Sequence, residues 1–368
     1  MPKNYGLADD IELAEIPAPE LPYRPRPPRS YSPPIGLIGC GGISQAHLRA
    51  YQAAGYRVVA LCDCDAARAE SRRAEFYPDA KVYTDPAELL RRDDLEVIDI
   101  ATHPREREHL IPLALDARKH VLSQKPFVLD LDVGQRLCDL ADARGVRLAV
   151  NQNARWSPHV AYARLAIEGG LVGSVLGAHL HCHWNHDWIA GLPFDGIHHI
   201  ILYDYAIHWF DAVHCFMRGR QAERVTASVR RAQGQSARPP LLAQVMIDYA
   251  DAQATLVFDG FTPVGMHDAI FIAATDGAID IRGREINAHT VTLYNRDGYA
   301  TPDLEGSWFR EGFLGTMSEL LCAIDENRRP YNDARDTLDG LAMCFAAVAS
   351  ADTGQPQVPG AVRRLPER

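Results

Sequence analysis

The first half of the chain alternates short apolar runs with segments whose apolar residues recur at helical spacing. The apolar runs, which predict strands, lie at 35–38, 57–62, 81–83, 97–101, 120–123 and 146–150. The segments between them predict helices at 66–76, 86–90, 106–116 and 133–144. Continuous apolar strands are typical of strands that are buried on both faces. This order therefore predicts a parallel, doubly wound sheet covered by helices on each side.

The pattern changes after residue 152. A helix is predicted at 158–168 and another at 205–217, and strands are predicted at 175–183, 224–230, 243–249, 252–259 and 269–274. Helices return at 311–326 and 337–351. Strands that follow one another without intervening helices favour an open, largely antiparallel sheet. We therefore expect a doubly wound, Rossmann-type domain at 35–152 and a second α+β domain at 153–368.

The first 34 residues differ from the rest in composition. Their prolines favour extended polyproline II and exclude a continuous helix; they are Pro17, Pro19, Pro22, Pro25, Pro27, Pro28, Pro33 and Pro34. Two interpretations remain open for this N-terminal arm. It is either a partly disordered tail or a packed arm whose Tyr23, Arg24, Arg26 and Tyr31 grip a neighbouring subunit.

Composition narrows the class of protein. The chain has 368 residues, of which 47% are apolar, as expected for two globular domains with buried cores. A net charge of −10, without a basic run interleaved with aromatics, argues against a nucleic-acid partner. No apolar stretch reaches the roughly 20 residues that span a bilayer, and residues 1–10 lack a signal-peptide pattern. Eight scattered cysteines without a C-x-x-C pair indicate reduced thiols, so we expect a cytoplasmic protein.

A glycine-rich turn follows the first strand. Gly39, Gly41 and Gly42 lie between the apolar run and a helix-like pattern that starts near Ser44. Gly39 permits a tight turn, Gly41 lets the backbone approach phosphates, and the helix N-terminus offers free N–H groups. Ser44 replaces the usual third glycine and is still small enough for close packing. The pattern predicts a site for a dinucleotide pyrophosphate.

Asp63 ends the second strand, about two dozen residues after Gly39. A carboxylate there can accept hydrogen bonds from both hydroxyls of the adenosine ribose and repels a 2′-phosphate. The following Cys64 is not basic, so NAD is expected rather than NADP, although the nearby Arg68 leaves NADP open. The alternative is an ordinary turn aspartate.

Two further strands end in polar residues at the edge where such sheets bind ligands. The first is followed by Thr102, His103 and Pro104, and the second by Gln124 and Lys125. Burial of a lysine at a strand end lowers the ammonium pKa and suits it to donate or relay a proton. The alternative is a surface lysine that begins a loop.

Asp204 and His208 lie four residues apart in a predicted helix, and therefore on one face. A histidine can take a hydroxyl proton while hydride leaves the adjacent carbon, and the aspartate can orient the hydroxyl or the imidazole. The alternative is a structural histidine with a capping aspartate.

Histidines and tryptophans cluster just before this helix. The cluster contains His181, His183, His186, Asp187, His198 and His199. No thiolate pair or H-E-x-x-H spacing accompanies them, so we predict the wall of a polar-substrate pocket and no metal. Trp184 and Trp188 suit stacking on a sugar. The residues predicted to contact substrate are Lys125, Trp184, Asn185, Asp187, Trp188, His199, Asp204 and His208.

Together these motifs resemble the Gfo/Idh/MocA family over residues 35–360. The resemblance rests on the glycine turn with Ile43, on Asp63, on the segment 101–104 with His109, on Lys125-Pro126, on the segment 153–156 and on Asp204 with His208. It implies Lys125, Asp204 and His208 as the catalytic trio. The implied cofactor contacts are Gly39, Gly41, Gly42, Ile43, Asp63, Arg68, Thr102, His103, Pro104, His109, Gln124, Lys125, Asn153, Arg155 and Trp156. The chain departs from the family at Gln124, usually glutamate, and at Ala206, usually glycine.

The resemblance also implies an activity. We expect an NAD-dependent dehydrogenase that oxidises the anomeric hydroxyl of an aldose to the lactone, and a homo-oligomer that pairs through the open sheet. The segment 308–313 resembles pentose dehydrogenases of the D-apiose or D-xylose type, and a hexose remains open. The alternatives are an inositol or other secondary-alcohol dehydrogenase or reductase, and a catalytically silent NAD-binding sensor.

Overall fold

The computed structural model describes residues 13–366 and confirms a parallel six-stranded sheet in the N-terminal half. Its strands are β1 Ile35–Ile38, β2 Val58–Cys62, β3 Lys81–Tyr83, β4 Val97–Ile100, β5 His120–Gln124 and β6 Leu148–Asn151. The strand order is β3-β2-β1-β4-β5-β6. The order reverses between β1 and β4, and a crevice therefore opens there at the carboxyl ends of the strands.

Helices cover this sheet as the apolar spacing predicts. They are α1 Ser44–Ala53, α2 Ala66–Phe76, α3 Pro86–Leu90, α4 Pro104–Asp116 and α5 Leu131–Arg144. Asp65, Asp85 and Asp130 cap α2, α3 and α5 by accepting a hydrogen bond from a main-chain N–H of the first turn. These caps explain why the predicted helix starts lie close to the observed ones.

The second sheet has eight strands and is antiparallel except where β7 pairs with β10. Its strands are β7 Val175–His183, β8 Arg224–Arg230, β9 Leu242–Asp248, β10 Gln253–Asp259, β11 His267–Ala274, β12 Gly277–Glu285, β13 Ala288–Asn295 and β14 Gly298–Ala300. The sequence patterns did not predict the last three. Glycine and charged residues in β12, and histidine, threonine and asparagine in β13, obscure the apolar alternation of their buried residues.

The helices of the second half are α6 Pro158–Glu168, α7 Ile207–Phe216, α8 Trp308–Asp325 and α9 Ala334–Thr353. The helix predicted at 205–217 is shorter than expected, because a π-helical turn at Ile201–Tyr205 precedes α7. From α8, Phe313 and Met317 are buried with Leu48 and Tyr51 of α1. The C-terminal part of the chain therefore completes the core of the dinucleotide domain.

Residues 13–34 pack along their own chain. The N–H of Ile16 donates to the oxygen of Tyr299 at 2.8 Å, and the Tyr162 hydroxyl donates to the oxygen of Pro19 at 3.0 Å. Further along, Tyr31 donates to Glu96 at 2.9 Å. Tyr23, Arg24 and Arg26, for which contact with a neighbouring subunit was one of two alternatives, bind Glu305 and Glu326 of the same chain. Residues 1–12 of the arm lie outside the described residues.

All eight cysteines are free thiols. Among residues 13–366 there is no helix with the length and apolar character that a bilayer crossing requires.

Candidate active site

The turn after β1 has the geometry that the glycine pattern predicts. Gly39 has φ +99°, and a Cβ there would lie 2.9 Å from the carbonyl carbon of Ala101. Only glycine fits this position without strain. The Ser44 hydroxyl donates to the oxygen of Gly41 at 2.6 Å and closes the turn. A Cβ built on Gly41 or Gly42 would meet no atom within 4 Å, so both face open space where a ligand's phosphates can approach.

Arg72, which the sequence analysis did not single out, supports this turn from α2. Its Nε donates to Ser44 Oγ at 3.1 Å and its Nη2 to the oxygen of Gly41 at 3.3 Å. Arg72 and the more exposed Arg68 both line the cleft beside the turn. Two guanidinium groups and the N-terminus of α1 therefore make this end of the cleft suitable for an anion.

Asp63 lies beside the turn rather than along the cleft wall. Its Oδ2 accepts a hydrogen bond from the N–H of Cys40 at 2.8 Å, and its Oδ1 accepts one from the N–H of Asp65 at 2.9 Å. These bonds hold the carboxylate at the end of β2. Each oxygen retains a lone pair for a further donor.

The cleft has a volume of about 730 Å³. The predicted site residues that line it are Gly41, Gly42, Ile43, Arg68, Thr102, His103, Pro104, Gln124, Lys125 and Asp204. Residues that we did not predict also line it: Cys40, Arg72, Ala101, Pro126, Pro193 and Phe194. The glycine turn and the Lys125–Asp204 pair thus share one cleft, and a dinucleotide fits the open face of Gly41 and Gly42.

Lys125 pairs with Asp204 at this cleft. The ammonium donates to the main-chain oxygen of Asp204 at 2.9 Å and to its Oδ1 at 3.2 Å. The fully buried Arg107 of α4 holds the loop that carries Lys125, through hydrogen bonds to the oxygens of Gln124 and Pro126. Burial lowers the pKa of Arg107 to about 10, so it stays charged at neutral pH.

A buried network fixes Gln124. Its amide nitrogen lies 3.1 Å from His47 Nε2, and its oxygen accepts the N–H of Lys125 at 2.6 Å. On the other side of the ring, His47 Nδ1 lies 2.7 Å from Asp99 Oδ2, which also accepts the Tyr51 hydroxyl. The sequence did not identify His47, because its position in the pattern is that of any residue on the buried face of α1.

His208 and Asp204 belong to adjoining helical segments. Asp204 lies in the π-helical turn and lines the cleft, whereas His208 lies in the first turn of α7 with its ring against Trp308 at 5.6 Å. Burial, and secondly the charge of Lys125, hold the pKa of His208 well below its usual range. His208 is therefore neutral at physiological pH and can accept a proton.

Aromatic residues extend from the cleft. Tyr205 stacks on Trp184 with ring centroids 4.9 Å apart, and the His186 ring lies 5.0 Å from Tyr205. Burial lowers the pKa of His186 to about 4, a shift that the Asp204 charge opposes and the Lys125 charge favours. The charges of Asp204 and Lys125 therefore act on His186, which belongs to the histidine cluster that we predicted as the wall of a substrate pocket. Trp188 is exposed and lies 6.1 Å from Phe194 at the cleft.

The structure does not bring the segment 153–156 to the cleft. Arg155 is completely buried, with bidentate hydrogen bonds of 2.7 Å to Asp211 and an ion pair with Asp336. Trp156 and Asn153 are buried against α8, where Gly315 and Gly312 leave room for them. The side chains of these three predicted cofactor contacts are therefore packed inside the protein, and the charge of Arg155 is compensated by its two carboxylate partners.

Four other predicted contacts also lie away from the cleft lining. His109 is exposed on α4. The Asp187 carboxylate accepts the N–H groups of residues 236–237, and Asn185 Oδ1 accepts the N–H of Asp187. His199 Nε2 lies 3.0 Å from Asp352. Asp187, Asn185 and His199 shape the loop between β7 and α7. The sequence could not reveal the roles of Asp187 and His199, because their partners are distant in the chain.

Two groups of side chains among the described residues have the spacing of metal ligands. One is His159, Asp268 and His289, and the other is His198, His199 and Asp352. The strand histidines His181 and His183 belong to neither group. His159 and His289 lie outside the histidine-rich segment 181–199, and the sequence did not point to them as metal ligands.

Comparison with known proteins identifies both halves of the chain. Residues 34–152 match the family described as "Oxidoreductase family, NAD-binding Rossmann fold", and residues 160–280 match the "GFO/IDH/MocA C-terminal domain". The chain is 26% identical to D-apiose dehydrogenase of Paraburkholderia graminis over 342 residues, covering 87% of this chain and 88% of that protein. It is 25% identical to inositol 2-dehydrogenase of Rhizobium meliloti over 326 residues, covering 86% and 96%.

Solved structures share the fold. An oxidoreductase from Agrobacterium radiobacter, in complex with NAD+, L-tartaric acid and magnesium, aligns with a TM-score of 0.80 at 21% identity, covering 90% of this chain and 99% of that one. A putative myo-inositol dehydrogenase from Sinorhizobium meliloti aligns with a TM-score of 0.75 at 22% identity, covering 89% and 100%. Because the two matched segments span most of the chain and coincide with its two sheets, the protein belongs to the Gfo/Idh/MocA family of NAD-binding oxidoreductases.

Proposed function

We propose that the protein is an NAD-dependent sugar dehydrogenase that oxidises the anomeric hydroxyl of an aldose to the lactone. The observation that carries this proposal is the Lys125–Asp204 pair, which lines the same cleft as the glycine turn. The relative named D-apiose dehydrogenase supports a pentose such as D-apiose or D-xylose as the first substrate to test, followed by hexoses.

Bound NAD supplies the hydride acceptor for this reaction. His208, neutral because it is buried, takes the proton of the anomeric hydroxyl. Lys125 donates a hydrogen bond to the same oxygen, and Asp204 orients the ammonium. Trp184 and Phe194 offer apolar surface against which the sugar and the nicotinamide can be enclosed.

A substrate panel tests the proposal. NADH formation is followed by its absorbance with pentoses, hexoses and inositols, and the product of the best substrate is identified as lactone or ketone. A lactone from an aldose supports the proposal. A ketone from an inositol would replace it with the second candidate, an inositol or secondary-alcohol dehydrogenase, which the match to inositol 2-dehydrogenase favours. Tight NAD binding without turnover in either direction would indicate an NAD-binding sensor.

NAD rather than NADP is the cofactor in this proposal. The Asp63 carboxylate, held at the end of β2, disfavours a 2′-phosphate. Arg68 and Arg72 in the same cleft act in the opposite direction, so the preference depends on the balance of these charges. Titration of both cofactors by protein fluorescence measures it directly. Asp63→Ser should shift the ratio of the two Kd values toward NADP, and equal ratios in both proteins would remove Asp63 from this role.

The open sheet is the proposed oligomer interface. Its outward face exposes Leu176 on β7, Met246 on β9 and Phe271 on β11, with 46%, 55% and 42% of their surfaces accessible. Met246 and Phe271 belong to one cross-strand row with Thr255 and His179, and exposed apolar side chains on a sheet face support a protein interface there. Phe271→Glu should lower the mass measured by light scattering, whereas Val264→Glu, on an exposed loop, should not.

A further inference from the structure

Three side chains from distant parts of the second domain converge away from the cofactor cleft. His159 lies in the first turn of α6, Asp268 lies near the start of β11, and His289 lies near the start of β13. All three side chains are buried: His159 and Asp268 are 4% and 2% exposed, and the His289 side chain is 1% exposed.

Strand register explains how Asp268 and His289 meet across an intervening strand. Asp268 pairs with Gly283 of β12, and Gly283 in turn pairs with His289. Paired residues point to the same face of a sheet, so the three positions form one row. A Cβ on Gly283 would lie 2.7 Å from the His289 ring. The glycine therefore leaves the space through which His289 reaches Asp268.

The three groups present their polar atoms to one another. His289 Nε2 lies 3.0 Å from Asp268 Oδ2, and the His159 and His289 rings stack with centroids 3.7 Å apart. One ligand atom from each residue lies within 4.8 Å of the other two. Within residues 13–366, His159 Nε2, Asp268 Oδ1 and His289 Nδ1 are buried and have no hydrogen-bond partner. Unpartnered polar atoms are costly to bury, so their concentration at one point calls for a ligand.

A small cavity adjoins the histidines. It has a volume of about 100 Å³ and is lined by His159 and His289 together with Asn287, Ser307 and Trp308. That volume accommodates a water molecule in addition to an ion. Two imidazoles, one carboxylate and a water complete the four-coordinate set that Zn²⁺ prefers.

We propose that His159, Asp268 and His289 bind one divalent transition-metal ion, Zn²⁺ or a metal of similar preference. Two nitrogen donors favour such a metal over Mg²⁺ or Ca²⁺, which select oxygen ligands. The ion ties α6 to β11 and β13. It also lies next to Trp308, whose ring is 5.9 Å from His159 and 5.6 Å from His208. The bound metal therefore stabilises the wall of the domain on which the Trp308 ring and the catalytic histidine rest.

The test uses the full-length protein after treatment with EDTA and buffer exchange. Zn²⁺ binding is measured by calorimetry, metal content by mass spectrometry, and the site is identified with Co²⁺, whose visible absorption reports tetrahedral coordination. We expect one high-affinity ion per chain and a rise in Tm of about 3–6 °C with excess Zn²⁺. Neither readout depends on dehydrogenase activity.

Single substitutions locate the ion. His159→Gln, Asp268→Asn and His289→Gln should each weaken Zn²⁺ binding by about 100-fold or more and abolish the Co²⁺ absorption. His198→Gln, in the second group of potential ligands, is the matched control and should leave both unchanged. If Asp268→Asn or His289→Gln fails to fold, His159→Gln alone suffices, because its Nε2 forms no hydrogen bond that the fold would lose. No binding by the wild type, or equal binding by all variants, overturns the proposal.

Discussion

Lys125 donates two hydrogen bonds to one residue, Asp204, at 2.9 Å to its main-chain oxygen and at 3.2 Å to its carboxylate. The two residues are 79 positions apart in the chain and come from different domains. The pair therefore joins the N-terminal and C-terminal domains at the cleft, and the orientation of the ammonium depends on both.

Removal of this ammonium should affect chemistry more than cofactor binding. Lys125→Met should lower kcat by roughly 10²-fold or more, as expected for loss of a group that stabilises the reacting oxygen. Asp204→Asn keeps the size of the side chain but weakens the pair, and a loss of about 10-fold is expected. Steady-state kinetics on the best sugar measures both. Equal activity of Lys125→Met and wild type would exclude the proposed role.

His208 should be the most sensitive position for proton transfer. His208→Asn removes the base while keeping a polar side chain, and kcat should fall by roughly 10²-fold or more. The Kd for NAD, measured by fluorescence, should remain close to the wild-type value. His181→Asn, on the exposed face of β7, is the control and should be fully active. An active His208→Asn enzyme would assign the base to another group.

Gln124→Glu tests the buried network. The Gln124 amide donates to His47 Nε2, and a carboxylate cannot do so. In the variant an acceptor faces His47 Nε2, so the hydrogen bond is lost inside the buried network and the Tm should fall by several degrees. Differential scanning calorimetry of wild type and Gln124→Glu measures the change. An unchanged Tm would contradict this explanation.

Substitution of Arg155 should lower the stability of the fold rather than the affinity for NAD. Arg155→Met leaves Asp211 buried without its partner, and the free energy of unfolding should fall by about 3–5 kcal/mol. The matched control is Arg144→Met, which breaks only the exposed pair with Asp116 and should cost about 0.5 kcal/mol or less. Urea denaturation measures both. Loss of NAD affinity in folded Arg155→Met, without loss of stability, would restore the predicted cofactor contact.

Buried histidines should make the fold sensitive to mild acid. Burial lowers the pKa of His120 from 6.5 to about 4 in the folded protein. Between these values the unfolded chain binds a proton that the folded protein does not, so stability falls as pH drops below about 6.5. For His120 this amounts to about 2 kcal/mol between pH 7 and pH 5.

His120→Asn isolates that contribution. The asparagine oxygen can replace Nδ1 as acceptor of the Arg147 N–H but does not titrate. Urea denaturation at pH 7 and pH 5 should show a shallower loss of stability for the variant than for wild type. Identical slopes would mean that His120 is protonated at the same pH in both states.

The sequence alone determined the parallel sheet, the glycine turn and the residues that line the cleft at strand ends. These features depend on local patterns: strand period, the conformation that Gly39 requires, and the rule that parallel strands place their carboxyl ends at one edge. The roles of Lys125, Asp204 and His208 came from the resemblance rather than from local patterns, and they stay predictions.

The tertiary structure is needed to know which polar side chains are buried and which residues they contact. The resemblance implied a cofactor contact for Arg155, which in the fold is paired with Asp211 and Asp336. His199 was predicted to contact the substrate, and in the fold it is paired with Asp352. Likewise, the sequence does not single out His159 and His289. The His289 ring reaches Asp268 because Gly283, on the strand between them, leaves space for it. The stability of a buried ion pair depends on both partners, and the partner of Arg155 is more than 50 residues away in the chain. Local sequence patterns contain no information about such a partner.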